Sequence, residues 1–143
     1  MEDFLGRMPS NFHMVDISLK VAAEGKPPYL MVMMQETERM NILLHDARLS
    51  LDELKLGLEG ALNISDAMEA LSSSLALNRV PAGWAKVAYA SLKPLGDWFV
   101  DMLKRVEQLV VWTEGMKTPK SLWLSGLFNP MAFVTAVMQV NKA

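Results

Sequence analysis

The sequence predicts an all-α fold, a long spine helix packed with about five shorter helices, and three observations carry that expectation. Leu30, Met33, Thr37, Met40, Leu44, Ala47, Leu51, Leu54 and Leu58 follow one another at alternating steps of 3 and 4. That is the a/d period of a helix with one continuous apolar seam. Leu95, Phe99, Met102, Val106 and Leu109 repeat the pattern later in the sequence. Nowhere does apolar and polar alternation run long enough for a sheet, and there is neither a 20–50-residue repeat nor a low-complexity tract.

The spine is expected over Pro28–Gly60. Pro27 and Pro28 suit its first turn, where the missing N–H would be unpaired anyway. Gly60 suits a left-handed residue just past its end, and Gly57 weakens its last turn. At 1.5 Å per residue such a rod is roughly 45 Å long. Before it, Met1–Asn11 forms a lead-in segment closed by the turn signal Pro9-Ser10-Asn11. A short helix over Phe12–Ala23 carries Met14, Ile17, Val21 and Ala22, and Gly25-Lys26-Pro27-Pro28 breaks it.

Beyond the spine, Ser65 is placed to cap a helix reaching about Ala76, with Asp66 complementing its positive end. Ala67, Met68, Leu71 and Leu75 supply its apolar face. Leu77–Val80 is a link, and Pro81 opens a short helix bearing Trp84, Val87 and Ala88. Tyr89–Lys93 leads to Pro94 and the second strong helix, where Trp98 and Trp112 share a row two heptads apart. Its other face is assigned Asp97, Asp101, Lys104, Arg105 and Glu107, with Asp101 and Arg105 spaced for an i, i+4 ion pair. Gly115–Pro119 ends it. Ser121–Phe128 fits either a short strand or a tight helical turn. Asn129-Pro130 reads as N-cap plus first helical position for a last helix, Met131–Val140, apolar on most sides.

Composition narrows the function. A length of 143 residues is one domain's worth and enough to bury a core. An apolar share of 51%, a mean hydropathy of +0.16 and twelve methionines are high for a free-standing domain, and suit a piece of something larger with partner surfaces. A formal charge of −2 and a pI near 5.7, with no basic run, leave nothing for nucleic acid to grip. With no cysteine there is no disulfide framework or thiolate site, and a cytosolic location is the default. The acidic MEDFLGRMPS start does not fit a signal peptide, and Tyr29–Met34, the longest apolar run, is too short to span a bilayer. The amphipathic faces mix both signs of charge, which disfavours a membrane surface.

Chemistry-bearing patterns are sparse. Gly115-Met-Lys-Thr-Pro lacks the second glycine of a phosphate loop and meets a proline, and Leu124-Ser125-Gly126 lacks the glycine that a nucleophile elbow needs two residues before its serine. His13 and His45 lie on separate elements and read as surface histidines rather than metal ligands. Glu36 and Glu38 point to different sides of one helix, and Glu36 is expected to pair with Arg39 at the surface. Asn63-Ile64-Ser65 matches a glycosylation acceptor but serves better as a cap. The four tryptophans are expected in the core rather than around a ligand. No catalytic, cofactor-binding or metal-ligating residue is therefore assigned.

Six strings in order carry a resemblance: QETERMN at Gln35–Asn41, SLDEL at Ser50–Leu54, GLEG at Gly57–Gly60, VPxGW at Val80–Trp84, AYxSLKPL at Ala88–Leu95 and WLSGLFNP at Trp123–Pro130. Over about Pro9–Gln139 the sequence resembles the C-terminal region of dynein heavy chains. The string Phe128–Gln139 is closer to axonemal than to cytoplasmic members. Met131 stands where that family usually carries glutamine, Ala90 where proline is common, and Asn141-Lys142-Ala143 where an Ala-Arg pair tends to end the helix.

The resemblance implies that residues 1–11 lead in from the lid of a preceding AAA module and that 12–143 form the helical part of the C-terminal domain. A smaller β-rich piece is then expected to follow. It implies a non-catalytic scaffold packing on the AAA ring of a microtubule-based motor in the cytoskeleton of a cilium or flagellum. ATP and Mg would belong to the parent motor and no cofactor to this segment. Partners would be ring modules of the same dynein heavy polypeptide, with microtubules reached indirectly and neither nucleic acid nor membrane involved. Gln35, Glu36, Arg39 and Asn41 are the candidates it offers for the ring interface. A stand-alone helical adaptor is the competing reading. An enzyme is a distant third, for want of a convergent acid, base or nucleophile.

Overall fold

The computed structural model describes residues 2–119 and 121–142. Met1 and Ala143, outer bounds of the two expected segments, and Lys120 lie outside them. Regular structure among the described residues is helical, with no strand: α1 Glu2–Arg7, α2 Met14–Ala23, α3 Pro28–Leu58, α4 Asp66–Ala76, α5 Ala82–Ala85, α6 Leu95–Gly115 and α7 Pro130–Lys142. The 123–128 stretch forms a tight turn, a single 3-10 turn at Leu124–Gly126. The lead-in segment, to which the sequence assigns no helix, contains α1.

The spine is one helix of 31 residues, roughly 46 Å long. Its seam is buried from Leu30 through Leu54, Thr37 included. Thr37 disposes of its hydroxyl by donating to the Met33 carbonyl one turn back (2.7 Å). The seam stops one position earlier than its spacing predicts, because Leu58 is 62% exposed. There the helix is already unwinding. The Gly60 N–H reaches Gly57 O (3.1 Å) and the Ala61 N–H reaches Leu56 O (2.9 Å), the two bonds of a Schellman exit. Gly60 takes φ +82°, which only glycine adopts cheaply. Gly57 is more than a weak point. A Cβ there would come within 2.8 Å of Ile64 Cδ1 and 3.1 Å of Met68 Sδ, so its bare backbone admits the segment entering α4.

The caps of α4 and α7 are those the sequence predicts, whereas α2 starts at Met14, two residues later than expected. The Ser65 hydroxyl accepts from the Met68 N–H (3.2 Å) at α4, and the Asn129 side chain accepts from the Ala132 N–H (3.2 Å) at α7. The α4 exit uses Asn78 at φ +55° in the role of glycine. Ile17 and Val21 of α2 are buried, whereas Ala22 is exposed.

The fold divides into two compact units, Met1–Asn11 with Ile42–Asp101 and Phe12–Asn41 with Met102–Ala143. Helices α3 and α6 contribute to both. The first unit is centred on aromatic rings. Trp98 stacks on Trp84 (centroids 5.9 Å) and on Tyr89 (5.4 Å), and the Tyr89 hydroxyl donates to the Trp98 carbonyl (2.7 Å). Trp84 turns its indole N–H to Ser50 Oγ (2.8 Å), so a buried ring keeps its polar edge satisfied. Arg48 donates to Asn11 Oδ1 (3.0 Å) and to the Pro9 carbonyl, tying down the lead-in segment. In the second unit, Trp112 is fully buried with Phe133 edge-on (5.7 Å).

The polar face assigned to α6 is corrected in part. Asp101 and Arg105 are only 9% and 6% exposed. Asp101 accepts a charge-assisted bond from Lys93 Nζ (2.7 Å), and the Arg105 guanidinium lies over the Trp123 ring (4.9 Å). A carboxylate and a guanidinium can be buried here because partners from other segments come to them.

Candidate functional site

The QETERMN stretch of α3 divides by direction. Gln35, Glu38 and Arg39 are exposed, Glu36 is 2% exposed and Asn41 is half-buried. The expected surface pairing of Glu36 with Arg39 gives way to a different arrangement. Glu36 follows Met33 by three residues and precedes Met40 by four, which puts its carboxylate on the core-facing stripe. A charge there needs donors, and they come from far along the sequence. The Phe128 N–H donates to Oε1 (2.5 Å) and the Asn129 N–H to Oε2 (2.9 Å).

The reason lies at the start of α7. In a capping box the third helical residue is Glu or Gln and reaches back to the N-cap N–H. Here that residue is Ala132, and Pro130 supplies no N–H. Glu36 supplies the missing carboxylate from 93 residues away. It also sits at the positive end of the α7 dipole, which offsets part of the cost of burying it.

Two amides do comparable work within the same unit. Asn41 accepts from the Phe12 N–H (2.7 Å) and donates to the Phe12 carbonyl (3.0 Å). Gln108 of α6 accepts from the Trp123 N–H (2.7 Å) and donates to the Trp123 carbonyl (3.2 Å). Each amide imitates a neighbouring backbone and satisfies one residue's donor and acceptor together. The segments before α2 and before α7 therefore have fixed geometry without belonging to a helix.

Of the four residues singled out from the sequence, the structure uses Glu36 and Asn41 internally. Gln35 and Arg39 remain on the surface, one helical turn apart on the same row. The roles of Gln108 and Arg105 escape sequence reading. A glutamine beside the seam residue Leu109 is indistinguishable from a solvated one until Trp123 is brought to it. Among the described residues no group of three or more His, Cys, Asp or Glu side chains could hold a metal ion, and no helix is long and apolar enough to cross a membrane. The arrangement holds shape and presents a polar edge.

The family model for the C-terminal domain of the dynein heavy chain matches residues 1–141. The sequence is 46% identical over 142 residues to the dynein beta chain, flagellar outer arm, of Chlamydomonas reinhardtii, covering 99% of this protein and 3% of that one. It is 47% identical over 139 residues to dynein axonemal heavy chain 11 of Sus scrofa, covering 97% of this protein and 3% of the relative. Identity to the ciliary dynein beta chain of Tripneustes gratilla is 45% over 139 residues, with the same coverages. The protein belongs to the family of C-terminal domains of dynein heavy chains. It spans about 3% of the length of these relatives.

Proposed function

We propose that the protein is the non-catalytic helical scaffold segment of an axonemal-type dynein heavy chain, packing on the AAA ring of a microtubule-based, ATP-driven motor and modulating coupling between ring modules. The observation that carries this reading is the likeness, over nearly all of its length, to heavy chains named axonemal, ciliary and flagellar. The geometry supports it physically: a coupling element must transmit displacement without absorbing it, and pinned loops on a long helix suit that task. ATP and Mg act elsewhere in the parent motor, and this segment binds neither. Its partners are ring modules of the same dynein polypeptide, with microtubules reached only through the motor and no nucleic acid or membrane involved. It works in the cytoskeleton of a ciliary or flagellar axoneme.

With Glu36 and Asn41 committed internally, the ring contact falls to Gln35 and Arg39. A guanidinium on a fixed helix can make several directed contacts at once. The test places Arg39→Ala and Gln35→Ala in a full-length axonemal heavy chain and measures ATPase rate and microtubule gliding velocity. A change in either supports the reading. Wild-type values for both variants in both assays overturn the assignment of this edge to the ring. The 143-residue protein should show no ATP-dependent shift in melting temperature. Saturable micromolar ATP binding would contradict its non-catalytic role.

A further inference from the structure

We propose that α4 is a strap that opens and closes by itself over the first unit, while the spine and the aromatic stack beside it stay folded. Its 11 residues bury one side chain, Leu71. Of the other residues on its expected apolar face, Met68 and Leu75 are half-buried and Ala67 is exposed. Among the described residues, no α4 side chain makes a hydrogen bond or ion pair to another element. Local preference does not hold the helix either. A helix this short is marginal on its own in water, and the run Ser72-Ser73-Ser74 adds little propensity. In the same unit, by contrast, Leu43, Leu44, Ala47, Leu51 and Leu54 of the spine are all buried.

Space and tethers complete the device. A cavity of about 300 Å³ is lined by Ala70, Leu71 and Ser74 from α4 and by Ser50 and Trp84 from α3 and α5. Side chains facing such a gap forgo dispersion contact across it, so α4 is held weakly where the core is held tightly. Trp84 does not need α4 to stay in place. Its indole N–H donates to Ser50 Oγ (2.8 Å) and its ring stacks on Trp98. Both ends of the strap are fixed. Before it, the spine exits at Gly60 and Ile64 fits against the bare backbone of Gly57. After it, the Asn78 carbonyl accepts from the Leu95 N–H (3.0 Å) and Asn78 Oδ1 from the Gly96 N–H (3.0 Å), which ties the exit to the start of α6. A segment tethered at both ends and loosely held between them opens locally without unfolding its anchors. Opening uncovers Leu71 and the Trp84 ring together.

The strap does not depend on the edge assigned to the ring, and its test is separate. Amide hydrogen exchange is measured on the unsubstituted 143-residue protein under native conditions. Corrected for intrinsic rates, the amides of residues 70–76 should exchange about a hundredfold or more faster than those of Leu44 and Leu51. Local opening exposes little surface, so low urea should hardly change exchange in α4 while accelerating it at Leu44 and Leu51. Leu71→Ala removes the one buried anchor and should bring residues 70–76 close to the rate of an unstructured peptide. Leu44 and Leu51 should then lose no more protection than α4 itself had to lose. Three results overturn the proposal. Equal protection and equal urea dependence at the two sets would mean that α4 opens only when the whole unit unfolds. So would a Leu71→Ala variant that accelerates both sets alike. Exchange of residues 70–76 at the unstructured rate in the unsubstituted protein would mean that there is no closed state to open from.

Discussion

The first unit gathers its loops onto stacked aromatic rings, whereas the second ties its loops with polar side chains that meet backbone. In the first, Trp98 touches both Trp84 and Tyr89, and the stack is supported by many weak contacts. In the second, Glu36, Asn41 and Gln108 each serve one or two peptide groups at defined distances. The two schemes fail differently. Removing a ring leaves a void in proportion to its volume. Removing a clamp leaves part-buried peptide groups to find other partners, a cost set by desolvation rather than size.

The largest effect should therefore come from the stack. Trp98→Ala removes a ring that is 2% exposed and contacts two others, and should lower unfolding free energy by about 3–5 kcal/mol. Urea denaturation followed by circular dichroism measures it. A loss under about 1 kcal/mol would mean that Trp84 and Tyr89 close the gap, and that the stack does not organise this unit.

Glu36 comes next. Glu36→Ala takes the carboxylate away from the N–H groups of Phe128 and Asn129 and should cost about 2–3 kcal/mol. Glu36→Gln keeps one acceptor oxygen and should recover roughly half of that loss. If Gln and Ala variants melt together, the carboxylate charge at the α7 start matters rather than its two bonds. Either result sharpens the contrast with Trp98, where only volume is at stake.

Trp98 and Glu36 also mark how far the sequence can be read. The seam of α3, the caps at Ser65 and Asn129, the exit at Gly60 and the core position of Trp98 follow from local spacing and residue chemistry. Those rules act within a few residues, so they are visible in a string. Glu36 is misread from sequence because its partners lie over ninety residues away and are backbone groups, which carry no residue label. A carboxylate on the apolar stripe is the available signal. Asp101 and Arg105 repeat the lesson: helical spacing pairs them, while Lys93 and Trp123 are the partners that bury them.

Asn41→Ala should cost less than Glu36→Ala. It removes a neutral, half-buried amide and frees the Phe12 peptide group, which water can partly satisfy; about 1 kcal/mol is expected. Hydrogen exchange at the Phe12 amide is the direct readout. It should accelerate in the variant while amides in the middle of α3 stay protected. Unchanged exchange at Phe12 would show that the segment before α2 is held by packing instead.

The smallest effect belongs to Arg39, three residues from Glu36 on the same turn. Its side chain is exposed, Glu36 is committed to the α7 start, and substitutions at such positions usually stay within about 0.5 kcal/mol. Arg39→Ala should thus leave the melting temperature of the 143-residue protein essentially unchanged. Glu36→Ala and Arg39→Ala then form a matched pair within one helical turn, one destabilising and one silent. That pairing matters for the motor assay. A gliding or ATPase defect from Glu36→Ala could reflect a loosened α7, but the same defect from Arg39→Ala cannot be blamed on lost stability. If Arg39→Ala instead lowers stability by about 2 kcal/mol or more, on the scale of a lost buried contact, the residue belongs with the internal clamps. The exposed edge of α3 would then lose its strongest candidate for meeting the ring.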